Sequence, residues 1–227
     1  MNPAAPILVL AGARETQEAV HALSGYPARV LWADESTPAP VEAEVVRQMP
    51  EEVRAILDVT HAFDTQTRSR WTRPGLPYAR VARALWEPEP ELGDRWTTVE
   101  TIEQAVATLP SGARVFAATG QSSGAVLAKH NGPVFLRQLG RHDLPAPPNC
   151  TYVFGAGPFV VEGEVEVLRE LSIDVVIARN VGGPDSYPKL AAARALGLPV
   201  VLLRPPPLPD GPVLMSPEDV RRWAKGL

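Results

Sequence analysis

Short apolar runs alternate along this chain with stretches whose apolar positions recur every three or four residues. That alternation is the pattern of βαβ units around a mainly parallel sheet. Ile7-Leu-Val-Leu10 predicts the first strand and Glu15 to Leu23 the helix after it, with Ala19, Val20 and Leu23 on one face. Ala28 to Ala33 predicts a second strand, followed by Pro38, Pro40 and an acidic helical segment near Glu51 to Ile56. Leu57-Asp-Val-Thr-His61 reads as a strand end, Thr65 onward as a helix, and Tyr78 to Arg83 as a further strand.

Trp86 to Trp96 is acidic and interrupted by prolines, which remove amide donors and fix φ, so it suits a crossover between two lobes. The alternation then restarts. A helix is predicted over Thr101 to Leu109, and strands over Ala113 to Ala118, Pro133 to Leu139 and Cys150 to Val153. Val161, Val165, Leu168 and Leu171 form one face of an amphipathic helix. Ile173 to Ala178 is the strongest strand pattern, followed by a helix over Pro188 to Leu196 and a strand over Pro199 to Leu203. The expected fold is α/β: two tandem Rossmann-like lobes with mainly parallel sheets, residues 1–92 and 93–227, around an interdomain cleft.

Composition narrows the function. A chain of 227 residues with 45% apolar content can bury a core, and a net charge of −4 argues against nucleic-acid binding. One cysteine excludes a disulfide framework and fits a reducing, cytoplasmic setting. The four histidines are scattered, so no metal site is expected. No apolar run approaches a membrane span, and Met1 to Pro6 carries no signal-peptide pattern. Of 22 basic residues only three are lysines, a bias that fits GC-rich codons and equally fits recognition of carboxylates or phosphates.

Ligands of open parallel sheets gather beyond the carboxyl ends of the strands. Four loops qualify: Ala11–Arg14, Asp58–Phe63, Thr119–Gly124 and Arg179–Lys189. Thr119-Gly-Gln-Ser-Ser-Gly124 reads as a phosphate-binding turn or as a plain glycine turn with a serine cap. The double glycine of Asn180-Val-Gly-Gly183 allows close backbone approach or simply a tight turn, and Ser186 beside it can be a helix cap. Asp58 suits a helix cap, while an unperturbed His61 suits a proton donor.

These residues, taken in order, resemble the precorrin-6A reductases of CobK/CbiJ type in cobalamin biosynthesis. Asp58-Val-Thr-His-Ala-Phe-Asp64 is similar to that family's D-A-T-H-P-F-A, and Arg80-Val-Ala-Arg-Ala-Leu-Trp86 to its R-x-x-R-P-x-W, followed by Gly93-Asp-Arg-Trp96. Ala118-Thr-Gly-Gln121, Phe135-Leu-Arg-Gln138 and Gly157-Pro-Phe159 with Glu164 match three more segments. Arg179-Asn-Val-Gly-Gly183 through Lys189 to Ala193, then Gly197-Leu-Pro-Val200 with Arg204-Pro205, complete the series. The opening differs: Ala11-Gly-Ala-Arg-Glu15 stands for G-G-T-x-E, and no counterpart of G-G-F-G-G exists between Val41 and Glu52. Arg179 stands for lysine, Val181 for serine and Ala62 for proline.

The resemblance implies an NADPH-dependent oxidoreductase that reduces a macrocycle carbon–carbon double bond, converting precorrin-6A to precorrin-6B. It assigns Thr119, Gly120, Gln121, Ser122, Ser123, Asn180, Val181, Gly182 and Gly183 to NADPH, with Arg137 on a phosphate. Thr60, His61, Arg80, Arg83, Ser186 and Lys189 would meet the polycarboxylate tetrapyrrole, and His61, Tyr187 and Asp143 are the candidate proton donors. A monomer is expected, with transient contact to other enzymes of the pathway. Two other readings use the same architecture: a cofactor-free tetrapyrrole enzyme of the uroporphyrinogen-III synthase kind, and a non-catalytic nucleotide- or tetrapyrrole-binding protein.

Overall fold

The computed structural model describes residues 4–32 and 41–227. Pro38 and Pro40, the expected end of the second strand at Ala33, and Met1 to Pro3 lie outside the described residues. The chain forms two units, Met1–Ala84 with Pro206–Leu227, and Leu85–Pro205.

The first unit contains β1 (Ile7–Leu10), α1 (Thr16–Ala22), β2 (Ala28–Leu31), β3 (Glu44–Val46), β4 (Ala55–Asp58), α2 (Thr65–Trp71) and β5 (Tyr78–Val81). All four residues of β1, and all four of β4, are buried. Continuous burial is what a parallel strand covered by helices on both faces requires. On one face Ile7, Val9, Val30 and Leu57 pack with Ala19, Val20 and Leu23 of α1. On the other, Leu8, Leu10, Ile56 and Tyr78 pack with Trp71 and Leu76.

The second unit contains β6 (Trp96–Val99), α3 (Ile102–Thr108), β7 (Val115–Ala118), α4 (Gly124–Leu127), β8 (Val134–Gln138), β9 (Cys150–Phe154), α5 (Val161–Glu170), β10 (Val175–Arg179), α6 (Pro188–Ala195) and β11 (Val200–Leu203). Phe116, Val176, Ala178, Val200 and Leu202 form its core with Leu168 of α5 and Leu190, Ala192 and Ala193 of α6. The chain then returns to the first unit as β12 (Val213–Leu214) and α7 (Pro217–Lys225).

Both sheets are parallel throughout. The first runs β12-β5-β4-β1-β2-β3 and the second β6-β11-β10-β7-β8-β9. Read from β3, and likewise from β9, the order is 3-2-1-4-5 with a sixth strand at the far edge. Each sheet therefore has one topological switch point, between β1 and β4 in the first and between β7 and β10 in the second.

Three expectations need correction. The acidic segment near Glu51 to Ile56 is not helical: residues 51–54 are irregular and Ala55–Asp58 is β4. Its four buried residues pair with β1 and β5, and the sheet position overrides a charge pattern that only weakly specified a helix. The lobe boundary falls at Ala84/Leu85 rather than at residue 92, and residues 206–227 belong to the first unit. The physical reason is the β12–β5 pairing of Val213 with Arg80 and Leu214 with Val81, together with burial of Val220 and Ala224 in the first core. Finally, Trp86 to Trp96 lies within the second unit, with one 3-10 turn at Pro90–Leu92. Among the described residues no helix is long and apolar enough to cross a membrane.

Candidate functional site

Two loop clusters occupy the switch points. In the first unit, Asp58 ends β4 fully buried. Its Oδ2 accepts from Arg68 Nε at 2.8 Å, Arg80 Nη1 at 2.6 Å and the Tyr78 hydroxyl at 2.6 Å. Oδ1 accepts from the Thr60 amide at 2.9 Å and the Thr60 hydroxyl at 2.7 Å. Burial alone would raise the Asp58 carboxyl; the Arg80 charge and the Tyr78 and Thr60 hydrogen bonds more than offset it and hold it below its ordinary value. Burial, then the Asp58 charge, raises the Tyr78 phenol.

This network reassigns two expected substrate contacts. Arg80 is 3% exposed and also donates to the Thr60 carbonyl at 3.1 Å, while Thr60 is 2% exposed. Both are framework that shapes the strand end, not groups facing a ligand. Arg68, which the sequence did not single out, is their partner; its signal was its place on the inward face of a helix following the Asp58 loop. Arg83 is half-buried and pairs with Glu15. His61 is exposed, and its Nδ1 accepts from the Phe63 amide at 3.2 Å. That bond places the proton of the neutral imidazole on Nε2.

In the second unit, the Thr119–Ser123 turn follows β7 and the Asn180–Gly183 loop follows β10, as the strand patterns predict. Thr119 and Ser123 are buried, their hydroxyls 2.6 Å apart, and Ser123 Oγ donates to the Gly120 carbonyl. These two brace the turn, leaving Gln121 and Ser122 exposed. Gly120 has φ 80° and ψ 163°, a region essentially reserved for glycine. A Cβ there would also lie 3.3 Å from Arg179 Nη1. Gly120→Ala is accordingly expected to cost about 1–3 kcal/mol, read as a lower denaturation midpoint.

Arg179, the last residue of β10, is the functional candidate the sequence named only as a lysine replacement. Its guanidinium overlies the glycine turn, with Nη2 3.4 Å from Ser122 Oγ, and burial pulls it below its ordinary pKa. It remains cationic at neutral pH, and a half-buried cation beside a glycine-containing turn suits a phosphate. The signal available in sequence was an arginine closing the strongest strand beside a glycine turn. The residues present therefore fit the diphosphate of a nucleotide cofactor.

Other expected contacts have different partners. The Asn180 side chain accepts from the Trp86 amide at 3.0 Å and donates to the Trp86 carbonyl at 2.9 Å, so it clamps backbone. Trp86 Nε1 donates to the Gly183 carbonyl at 2.8 Å. Gly182 and Gly183 adopt φ 66° and 74°, as their loop requires, and Val181 is half-buried. Arg137 is not an exposed phosphate ligand: it bonds Glu164 at 2.8 Å and stacks on Phe116 and Phe159, its side chain 8% exposed. Lys189 donates to the Ser186 carbonyl and lies 5.9 Å from the Trp86 ring centre. Burial, countered by Glu164 and reinforced by Arg137, pulls its amine down to about 8.

The three proton-donor candidates separate. The Tyr187 hydroxyl accepts from Arg194 at 2.8 Å, and burial raises its pKa, so it serves the Arg194–Asp94 network. Asp143 is exposed in the connection between β8 and β9. His61 alone of the three is an exposed side chain at a switch point, beside β4.

Comparison with known proteins agrees with this architecture. The family model "Precorrin-6x reductase CbiJ/CobK" matches residues 40–225. The precorrin-6A reductase of Rhodococcus erythropolis is 38% identical over 184 residues, covering 78% of this chain and 72% of its own. That of Rhodobacter capsulatus is 36% identical over 182 residues, covering 76% and 71%. The solved structure of CobK precorrin-6A reductase superposes with a TM-score of 0.80 at 30% identity, over 98% of this chain and 96% of that one. With the family match spanning most of the sequence and the two-sheet fold shared end to end, the chain belongs to the precorrin-6x reductase family of CbiJ/CobK type and is an oxidoreductase.

Proposed function

We propose that this protein catalyses the NADPH-dependent reduction of one carbon–carbon double bond of precorrin-6A, giving precorrin-6B, in the cytoplasm. The observation that carries the reading is the β7/β10 switch point, where the turn at Gly120, held at φ 80°, meets the Arg179 guanidinium. When bound, NADPH supplies a hydride to one carbon of the double bond. The Gly120–Ser122 backbone and Arg179 hold the cofactor's diphosphate, and Gly182 and Gly183 admit it closely. His61, once it has taken up a second proton from solvent as the imidazolium, delivers a proton to the neighbouring carbon and returns to the neutral imidazole, which saturates the bond. Arg83, Ser186 and Lys189, each only partly buried, remain the candidates for contacts to substrate carboxylates, whereas Arg80 and Thr60 are buried.

Fluorescence titration of the protein with NADPH and with NADH tests the cofactor assignment. NADPH is expected to bind at least about tenfold more tightly, a difference of about 1.4 kcal/mol. Adding precorrin-6A should then consume NADPH in equal amount to precorrin-6B formed. Binding of neither nucleotide would reject the reductase and leave a cofactor-free tetrapyrrole enzyme or a binding protein.

A further inference from the structure

A pocket of about 200 Å³ lies within the first unit, between α2 and the segment by which the chain returns to that unit. Arg68, Ser69 and Thr72 line it from α2 and the end of that helix, and Pro207, Leu208 and Pro209 from the returning segment. Arg68 is 3% exposed. Its Nε donates to Asp58 at 2.8 Å and its Nη2 to the Thr60 hydroxyl at 3.2 Å and the His61 carbonyl at 3.4 Å. Its Nη1 is buried without a hydrogen-bond partner, and so is the Thr72 hydroxyl. Buried polar atoms are nearly always paired, so two orphans on residues lining one pocket point to a ligand that completes them.

Charge says what kind of ligand. Among the described residues, Asp58 is the one carboxylate that pairs with Arg68 or Arg80, so the buried cluster holds two cations and one anion. Tyr78 adds no charge, because burial raises its phenol pKa. An excess charge buried without a counter-charge is costly, and no described residue lining the pocket is acidic. Water satisfies orphan atoms but not the charge; an anion does both. A guanidinium N–H and a hydroxyl suit the two oxygens of a carboxylate. Leu208 and the two prolines suit a short hydrocarbon tail behind it.

We propose that this pocket binds a short-chain carboxylate, its oxygens on Arg68 Nη1 and the Thr72 hydroxyl, as the counter-ion of the Asp58–Arg68–Arg80 cluster. The site does not depend on the cofactor reading above. Saturation-transfer NMR of the full chain with propionate, chloride holding the ionic strength, should give a saturable signal with a Kd of about 1 mM. Thr72→Val keeps the shape of the pocket and should weaken binding at least about tenfold. Arg68→Met should abolish binding. Arg70→Gln removes an exposed charge outside the pocket and should leave binding unchanged. Adding precorrin-6A separates two sources of the carboxylate, and this step alone rests on the proposed substrate. Displaced propionate would assign the pocket to a carboxylate side chain of that molecule, and undisturbed propionate to a free short-chain acid. The absence of a saturable signal would leave the pocket to water and overturn the proposal. Parent-like affinity in Thr72→Val would overturn it too, and that variant decides alone if Arg68→Met does not fold. An equal loss in Arg70→Gln would reduce the binding to surface charge and reject the site.

Discussion

Asp58→Asn is expected to lower the stability of the first unit by about 3–5 kcal/mol, read as a drop in the denaturant midpoint. The substitution is nearly isosteric, so packing barely changes and the missing charge carries the effect. Asp58 is the anion that both Arg68 and Arg80 contact, and all three side chains are at most 4% exposed. Neutralising it leaves two guanidiniums buried beside an amide, and a buried ion stripped of its partner costs several kcal/mol. Against the usual 5–15 kcal/mol of a whole domain, that loss is large. The same carboxyl sets the acid limb. Its folded pKa is depressed, so its contribution is present above the ordinary carboxylate pKa and drains away as pH falls below it. The asparagine variant should therefore be weaker at neutral pH and flatter in acid. A midpoint at pH 7 within about 1 kcal/mol of the parent would show that the arginines are compensated by other means.

The strands at both switch points were legible in the sequence because parallel strands buried on both faces read as continuous apolar runs. Ile7–Leu10 and Val115–Ala118 follow directly. Edge elements were not. β3 offers three partly exposed residues, Glu44–Val46, and β12 only two, Val213–Leu214, too few for any period to show. The helix α7 was not predicted, although a cap holds its start: Ser216 Oγ accepts from the Asp219 amide and Asp219 accepts in return from the Met215 amide. No local pattern shows that this helix packs on α1 two hundred residues earlier, so the return of the chain was missed. At the site, residue types were readable and their partners were not. An arginine at a strand end looks the same in sequence whether it is buried on an aspartate, as Arg80 is, stacked between phenylalanines, as Arg137 is, or poised over a glycine turn, as Arg179 is. Long-range geometry distinguishes them.

His61→Ala is expected to lower kcat by about 10²- to 10⁴-fold, the usual worth of a positioned general acid, while the Kd for NADPH stays unchanged. The separation follows from placement. His61 belongs to the β4 loop of the first unit, whereas the turn and arginine assigned to the cofactor belong to the second. In the neutral ring its Nδ1 accepts from the Phe63 amide, which orients the imidazole, and the acid is the imidazolium formed when the ring takes up a second proton. Alanine also deprives the Phe63 amide of its acceptor, but that bond is exposed and water replaces it, so the thermal midpoint should barely move. His61→Gln discriminates positioning from chemistry. A glutamine amide can still donate a hydrogen bond but cannot release a proton near neutral pH. If His61 is the acid, glutamine should be as slow as alanine; if His61 only orients a substrate carboxylate, glutamine should recover much of the rate with a change confined to KM. Unchanged kcat in both variants would remove His61 from the reaction and return the proton to solvent or to a residue outside this loop.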